Sequence, residues 1–323
     1  MGNTAQDAGK TAVIALGGNA LMRKDVKFAS FAQQRSVVEK SARQIARLID
    51  EGWRVAITHG NGPQVGNLLL ISHMAHERNR EIPEIPLDAA NANTQGSLGY
   101  LIAQAVRNAS TDNGEYREIA AIVTQVVVDR NDPAFYNPTK FVGPAYGIEE
   151  ANELSIRLGW KMKEDRGRGW RRVVASPDPL DIVEITTIHK LMKQGVSVVT
   201  VGGGGIPVVR EGAYLKGVSS VIDKDRASAL LATNLGVRLL AMITQVENVY
   251  LDFGKPAQRP VETMNIGDAK TYLDSGQFPQ GSMGPKIESA VNFLEKGGKE
   301  VLITNPVNIT EGFCGLKGTR IVP

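Results

Sequence analysis

Leu231-Ala232-Thr233-Asn234-Leu235-Gly236-Val237-Arg238-Leu239-Leu240-Ala241-Met242-Ile243-Thr244 carries the pattern that decides the fold. A helix-forming run stops at a glycine, an apolar run of strand length follows, and a threonine opens a polar loop. The same cadence recurs along the chain. Val37, Ser41, Ile45 and Leu48 stand at helical spacing, Gly52 ends them, residues 53–58 read as a strand, and His59-Gly60-Asn61-Gly62-Pro63 follows. Leu191-Met192-Lys193-Gln194 leads through Gly195 to a strand at 196–199, Thr200 and Gly202-Gly203-Gly204-Gly205. Residues 293–296 lead through Gly297-Gly298 to a strand at 301–303, Thr304 and Asn305-Pro306. Near the start, Thr11-Ala12-Val13-Ile14-Ala15-Leu16 is a continuous apolar run that ends in Gly17-Gly18-Asn19. Strands without polar alternation are buried on both faces. Alternating with helices, they predict an α/β fold, a three-layer αβα sandwich with a mainly parallel central sheet. Ligands of such sheets bind beyond the carboxyl ends of the strands, where the glycines and unpaired polar residues of this chain gather.

The rhythm breaks in the middle. After an expected strand at 119–128, a loop rich in Asp, Asn and Pro leads to a basic stretch, 157–172, with Trp160 and Trp170. Residues 129–179 therefore read as an inserted, protruding subdomain in a single domain of 323 residues. Interleaved basic and aromatic residues also suit nucleic acid, but one short patch in a chain of net charge +3 reads better as a solvated lobe. With 42% apolar and 22% charged residues the composition is that of an ordinary globular protein. Cys314 is the only cysteine, so no internal disulfide forms and a cytoplasmic setting is expected. No apolar run approaches a membrane span, and the first ten residues do not form a signal peptide.

Two lysines sit where electrostatics disfavours them. Asp223 is a natural N-cap, which puts Lys224 in the first turn of a helix ending near Asn234. Pro285 suits a first helical position, which puts Lys286 in another first turn. Helix N-termini carry partial positive charge, so a lysine there either is solvated and offset by Asp225 and Glu288 or helps hold an anion, with phosphate the first candidate. Four glycine loops lie at expected strand ends: Gly17-Gly18-Asn19, Gly60-Asn61-Gly62, 202–205 and Gly281-Ser282-Met283-Gly284. Each alone is explained by turn chemistry, but together they supply backbone that can approach phosphate closely. No Walker A sequence is present, and the dinucleotide fingerprint fails because Pro207 follows Gly202-x-Gly204 where glycine or alanine belongs. His73-x-x-His76 lacks a third metal ligand and reads as surface histidine, and no Gly-x-Ser-x-Gly elbow occurs. Phosphoryl transfer fits what remains, since it demands positioning and positive charge more than acid–base groups. Lys140, Lys224 and Lys286 would supply the charge, with Asp225 aligning them.

Several motifs, in order and across nearly the whole chain, resemble the carbamate kinases of the amino-acid kinase family. They are Ala15-Leu16-Gly17-Gly18-Asn19-Ala20-Leu21, Thr58-His59-Gly60-Asn61-Gly62-Pro63-Gln64-Val65-Gly66, Asn137-Pro138-Thr139-Lys140, Gly202-Gly203-Gly204-Gly205-Ile206-Pro207-Val208, Val221-Ile222-Asp223-Lys224-Asp225, Gly281-Ser282-Met283-Gly284-Pro285-Lys286 and Gly318-Thr319-Arg320-Ile321. The resemblance implies the amino-acid kinase fold and reversible phosphoryl transfer from carbamoyl phosphate to ADP with Mg²⁺, in a homodimer. It implies that Lys140 reaches from the subdomain to carbamoyl phosphate, that Lys224 and Lys286 stabilise the transferring group, and that Asp225 orients lysines. Gly17, Gly18, Asn19, Gly60, Asn61, Gly62, Gly203 and Gly204 would line the phosphate and carbamate side. The nucleotide would lie in the part from about 215 to 323, against Thr244, Val246, Tyr250, Met283 and Gly284. Gln245 stands where the family often has an acidic residue, and Phe141 where a small residue or proline is expected. The competing readings are a kinase for another small carboxylate, a nucleotide-responsive regulatory module, and RNA binding through 157–172.

Overall fold

The apolar runs become the inner strands of an eight-stranded sheet in the order Thr263–Asn265, Thr319–Val322, Glu300–Thr304, Leu239–Ile243, Thr11–Leu16, Arg54–His59, Ser197–Val199, Ile119–Ala121. From Glu300–Thr304 onward every pairing is parallel, and Thr319–Val322 runs antiparallel to it. This computed structural model describes residues 9–18, 30–165, 167, 169–279 and 281–323. In the central strand, Val13 aligns with Leu240 on one side and Ala56 on the other. Alternate side chains of the strands feed two cores. Ala12, Ile14, Leu16 and Ile57 pack with Val38, Ile45, Leu98 and Ile102 of the helices Phe31–Asp50 and Leu87–Asp112. Val13, Ala56, Leu240 and Met242 pack with Leu231, Ile287 and Ile188 of the helices Lys224–Leu235, Met283–Glu295 and Ile185–Lys193. Those are the three expected layers, and burial on both faces is why the strands show no polar alternation.

Local chemistry sets the helix ends. Ser30 and Gln33 form a reciprocal capping box at the start of Phe31–Asp50. Gly236 closes Lys224–Leu235 in the left-handed region, with φ 61°. Lys224 is the first helical residue behind the Asp223 cap, as expected, whereas the last long helix begins at Met283, two residues before Pro285. Pro285 still falls in the first turn, where its missing N–H leaves no intrahelical bond unmade.

The expected strand at 119–128 is two strands in two sheets. Ile119–Ala121 closes the edge of the central sheet, while Gln125–Val128 joins a four-stranded sheet in the order Tyr214–Gly217, Ile206–Glu211, Gln125–Val128, Pro179–Ile182. Side chains take the backbone groups that a continuous ladder would use. The Thr124 hydroxyl donates to Ile122 O (2.8 Å), lies 2.7 Å from Thr200 Oγ1 and accepts from Val201 N–H (3.1 Å). The Gln95 amide bonds both Thr124 N–H (2.7 Å) and Thr124 O (3.0 Å).

A third, antiparallel sheet, Lys140–Tyr146, Gly169–Val174 and Met162–Asp165, carries the helix Ile148–Leu158 and falls within the stretch expected to protrude. Part of the basic stretch serves this sheet internally. Arg171 Nη1 bonds Asp165 (2.9 Å), and the Arg172 guanidinium lies 4.5 Å from the Trp160 ring centre. His73, expected at the surface, is buried on the helix Gln64–Arg78 with Nδ1 2.9 Å from Glu84 Oε1. Among the described residues no helix is long and apolar enough to cross a membrane.

Thr124→Val removes the hydroxyl that turns the chain between sheets and leaves Val201 N–H and the buried Thr200 hydroxyl short of a partner. Denaturant titration should show a loss of about 1–3 kcal/mol in unfolding free energy. Val123→Thr, at the exposed neighbour, should change it by less than about 0.5 kcal/mol.

Candidate active site

The carboxyl ends of Thr11–Leu16, Arg54–His59, Ser197–Val199 and Leu239–Ile243 surround one cavity of about 620 Å³. Its charged floor comes from two helix starts. Asp223 Oδ1 caps Lys224–Leu235 by accepting from Asp225 N–H (2.8 Å) and Arg226 N–H (3.4 Å). That cap aims Asp225 at two ammonium groups, Lys224 Nζ at 2.6 Å from Oδ1 and Lys286 Nζ at 2.8 Å from Oδ2. The other oxygen of Asp223 pairs with Lys140 Nζ (2.6 Å), which arrives from the third sheet. Lys140 and Asp223 neutralise each other, whereas Lys224, Lys286 and Asp225 leave one positive charge uncompensated between two helix N-termini. The arrangement can hold an anion.

The electrostatics follow from burial. Enclosure alone would raise Asp225, but the flanking Lys224 and Lys286 outweigh it and hold the carboxyl well below its usual range. The two lysines differ. Burial and the neighbouring Lys286 charge draw Lys224 below its usual value against the pull of Asp225, whereas Lys286, less enclosed, is raised by the same carboxylate despite its own burial. Asp223 lies below the usual carboxylate range because Lys140 overcomes the burial penalty. Burial drives the His59 imidazole down from 6.5 to about 4, opposed by its bond to Gly60 O (2.9 Å) and assisted by the Lys224 charge. His59 is thus neutral at physiological pH, and its Nδ1–H donates to the carbonyl that shapes the Gly60 loop.

The cavity brings together most of the residues singled out in the sequence. Lys140, Lys224, Asp225 and Lys286 line it with Gly17, Gly18, Gly60, Asn61, Gly62 and Gly203, and so do Thr244, Val246, Tyr250 and Met283. Gly204 and Gly284 stand behind the wall. Gly204 packs so tightly on Ile222 that a Cβ would overlap its carbonyl, and Gly284 N–H donates to Pro279 O (3.0 Å). Asn19 lies outside the described residues. The N–H groups of Gly17 and Gly60 donate to Ile243 O (3.0 Å) and Leu16 O (3.3 Å), so these glycines contribute close approach rather than phosphate donors.

Other contributors were not singled out by the sequence reading. Helix Leu87–Asp112 runs a buried polar row under the glycine loops: Thr94 Oγ1 bonds Asn61 Oδ1 (2.6 Å), Asn91 Nδ2 bonds Gly205 O (2.6 Å), and Gln95 holds Thr124. Polar residues at 91, 94 and 95 share one helical face, a signal that was available in the sequence. Asn61, which lines the cavity, has its Nδ2 buried with no hydrogen-bond partner among the described residues. Phe253, Phe278 and Pro279 join Tyr250 and Met283 in supplying an apolar part of the lining, with the Tyr250 and Phe253 rings 6.1 Å apart. Phe253 lies in the turn just after the strand Val249–Leu251 that carries Tyr250, outside any helical or strand periodicity. No cluster of three or more His, Cys, Asp or Glu suited to a metal occurs among the described residues.

Uncompensated positive charge between helix N-termini, glycine loops at parallel strand ends and apolar side chains in the same cavity suit phosphoryl transfer with a nucleotide. Residues 10–305 match the amino acid kinase family. The chain is 45% identical over 316 residues to a carbamate kinase of Pyrococcus furiosus, covering 98% of this chain and 100% of that one. It is 44% identical over 312 residues to a carbamate kinase of Pyrococcus horikoshii, covering 96% and 98%. Among solved structures, carbamate kinase from Giardia lamblia bound to AMP-PNP superimposes with TM-score 0.89 at 40% identity, covering 98% of this chain and 99% of that one. The chain is a kinase of the amino acid kinase family, on its carbamate kinase branch.

His59 makes stability depend on pH. Its folded value lies below the unfolded 6.5, so the unfolded state takes up more protons between about pH 6.5 and 4. The contribution is intact above 6.5 and is lost as pH falls, at up to about 1.4 kcal/mol per pH unit. Denaturant titration should show this slope in the wild type and a shallower one in His59→Gln.

Proposed function

We propose that the chain transfers a phosphoryl group reversibly between carbamoyl phosphate and ADP, giving ATP and carbamate, which decomposes to ammonia and carbon dioxide. One observation carries this reading: Lys224 and Lys286 converge on a single buried carboxylate and face Lys140 across the same cavity. The P–O bond to the carbamoyl oxygen breaks as a bond forms to the terminal oxygen of ADP. Carbamate leaves as a carboxylate, so no proton need move and no general base is required. Lys224 and Lys286 would face charge developing on the transferring oxygens, with Asp225 holding both ammonium groups in register. Lys140 would exchange its Asp223 contact for carbamoyl phosphate. The buried amide of Asn61 would donate to the same ligand, beside Gly17, Gly18, Gly60, Gly62 and Gly203, with Asn19 and Gly204 assigned to that side by motif.

The nucleotide half would be the C-terminal part, from about residue 215. Its apolar wall of Tyr250, Phe253, Phe278 and Met283 suits a purine, with Thr244 and Val246 beside it and Gly284 at the base of the helix carrying Lys286. The complex of the Giardia relative with AMP-PNP supports ATP and ADP as substrates here. The cavity carboxylates Asp223 and Asp225 are both engaged by lysines, and no protein cage for a cation fits these residues. Mg²⁺ would arrive on the nucleotide phosphates, as part of the substrate. Residues 129–179 would be a protruding unit serving the carbamoyl phosphate side. A homodimer working in the cytoplasm is the setting that the family and the single exposed Cys314 suggest.

ATP formation from ADP, carbamoyl phosphate and Mg²⁺ tests the assignment directly. Lys286→Ala and Lys140→Ala should each fall about 10²–10⁴-fold while remaining folded. A wild type that makes no ATP but phosphorylates N-acetylglutamate or another carboxylate would overturn the substrate. Tight nucleotide binding without turnover on any acceptor would make the chain a regulatory module.

A further inference from the structure

Strand Lys140–Tyr146 enters the cavity from the third sheet, and a close backbone contact helps hold it there. Gly66, on the helix Gln64–Arg78, is buried against Gly143 so closely that a Cβ at position 66 would overlap Gly143 Cα and N. Gly143 has φ 75°, in the left-handed region, and the pairing of its strand with Gly169–Val174 shifts register between Val142 and Tyr146. A glycine within a helix costs about 1 kcal/mol relative to alanine, so its presence at 66 is explained by the close approach rather than by helix formation. Val65 and Val142, next to the two glycines, join Leu87, Val174 and Val221 in a small apolar cluster that seals the contact.

The far side of Gly143 is clamped as well. Arg171 donates to Gly143 O through Nε (3.2 Å) and Nη2 (3.0 Å), is anchored by Asp165 through Nη1 (2.9 Å), and lies 5.4 Å from the Phe141 ring centre. Gly143 thus has Gly66 on one side and a fork of donors on the other. Lys140 lies three residues back along the strand, about 10 Å at the usual rise, and its Nζ ends on Asp223 Oδ2 at 2.6 Å. Both ends of this arm are set by named contacts.

We propose that Gly66 and Arg171 are positioning residues for Lys140, fixing at Gly143 the pivot from which the lysine reaches the reacting group. The inference rests on the assignment of Lys140 to carbamoyl phosphate. Relieving the overlap of a Cβ at 66 to ordinary carbon contact moves the strand by on the order of 1.5 Å. A misplacement of about 1 Å can cost about 10²-fold in rate. Arg171→Lys keeps the charge but loses the fork that holds the carbonyl.

The test measures ATP formation by the full chain for Gly66→Ala, Arg171→Lys and each combined with Lys140→Ala. Each single variant should lose about 10–100-fold in kcat/KM for carbamoyl phosphate, with KM for ADP within about twofold of wild type. In the Lys140→Ala background each should cost less than about threefold, because its effect passes through the missing ammonium. Full additivity in that background, or a rise in KM for ADP as large as the loss toward carbamoyl phosphate, would overturn the proposal. Hydrogen exchange of the amides of residues 140–143, 145 and 146 gives a reading independent of turnover. It should quicken in Gly66→Ala, or in Arg171→Lys if the first variant does not accumulate folded, and unchanged exchange would sink the pivot. A wild type inactive on carbamoyl phosphate would refute the substrate while leaving the exchange result to decide the pivot.

Discussion

Everything at the cavity depends on one carboxylate shared by two ammonium groups. Asp225 makes it possible to bury Lys224 and Lys286 side by side, at 12% and 13% side-chain exposure, because without it two like charges would meet in a poorly solvated space. The shared carboxylate cancels only half of that charge, and the remainder, reinforced by two helix starts, is what an incoming phosphate meets. Each helix is in turn held by the sandwich: Asp223 caps one, and the buried Thr58–Ser228 hydroxyl pair (2.6 Å) ties it to the strand bearing His59. A strand, a cap and an ion triad thus form one mechanical unit.

The same economy of groups appears in Asp223. One of its oxygens satisfies the N–H groups that open the helix, and the other receives a lysine from a different sheet. A single side chain therefore joins the helix start at the cavity floor to the strand that brings Lys140. Beneath, the polar row of helix Leu87–Asp112 holds the glycine loops without presenting charge of its own. Positive charge is concentrated at the cavity floor, and neutral amides and hydroxyls carry the scaffolding.

Much of this was legible in the sequence because it is local. Unbroken apolar runs between helices reveal a parallel sheet, a capping aspartate reveals where Lys224 begins a helix, and a lysine in a first turn reveals an unmet electrostatic need. What escaped was decided by contacts between distant segments. Residues 119–128 have strand character throughout, and only the side chains of Thr124, Gln95 and Thr200, together, divide them between two sheets. His73 reads as a surface histidine until the loop carrying Glu84 folds over it. Nothing in the sequence shows that Ile222 packs against Gly204 or that Gly284 N–H donates to Pro279 O. Phe253 and Phe278 gave no periodic signal because loops deliver them.

The order of strands also bears on how the molecule is made. Thr11–Leu16, at the centre of the sheet, completes its pairing only with Leu239–Ile243, more than two hundred residues later in the chain. During synthesis the N-terminal half must carry an apolar strand with one edge open until that partner emerges from the ribosome. Pairings of such sequence separation form slowly, because a long loop must close before any contact rewards it. A nascent chain of this design depends on protection from chaperones or on rapid elongation. An engineered fragment ending before residue 239 would expose the edge of its own core as a template for aggregation.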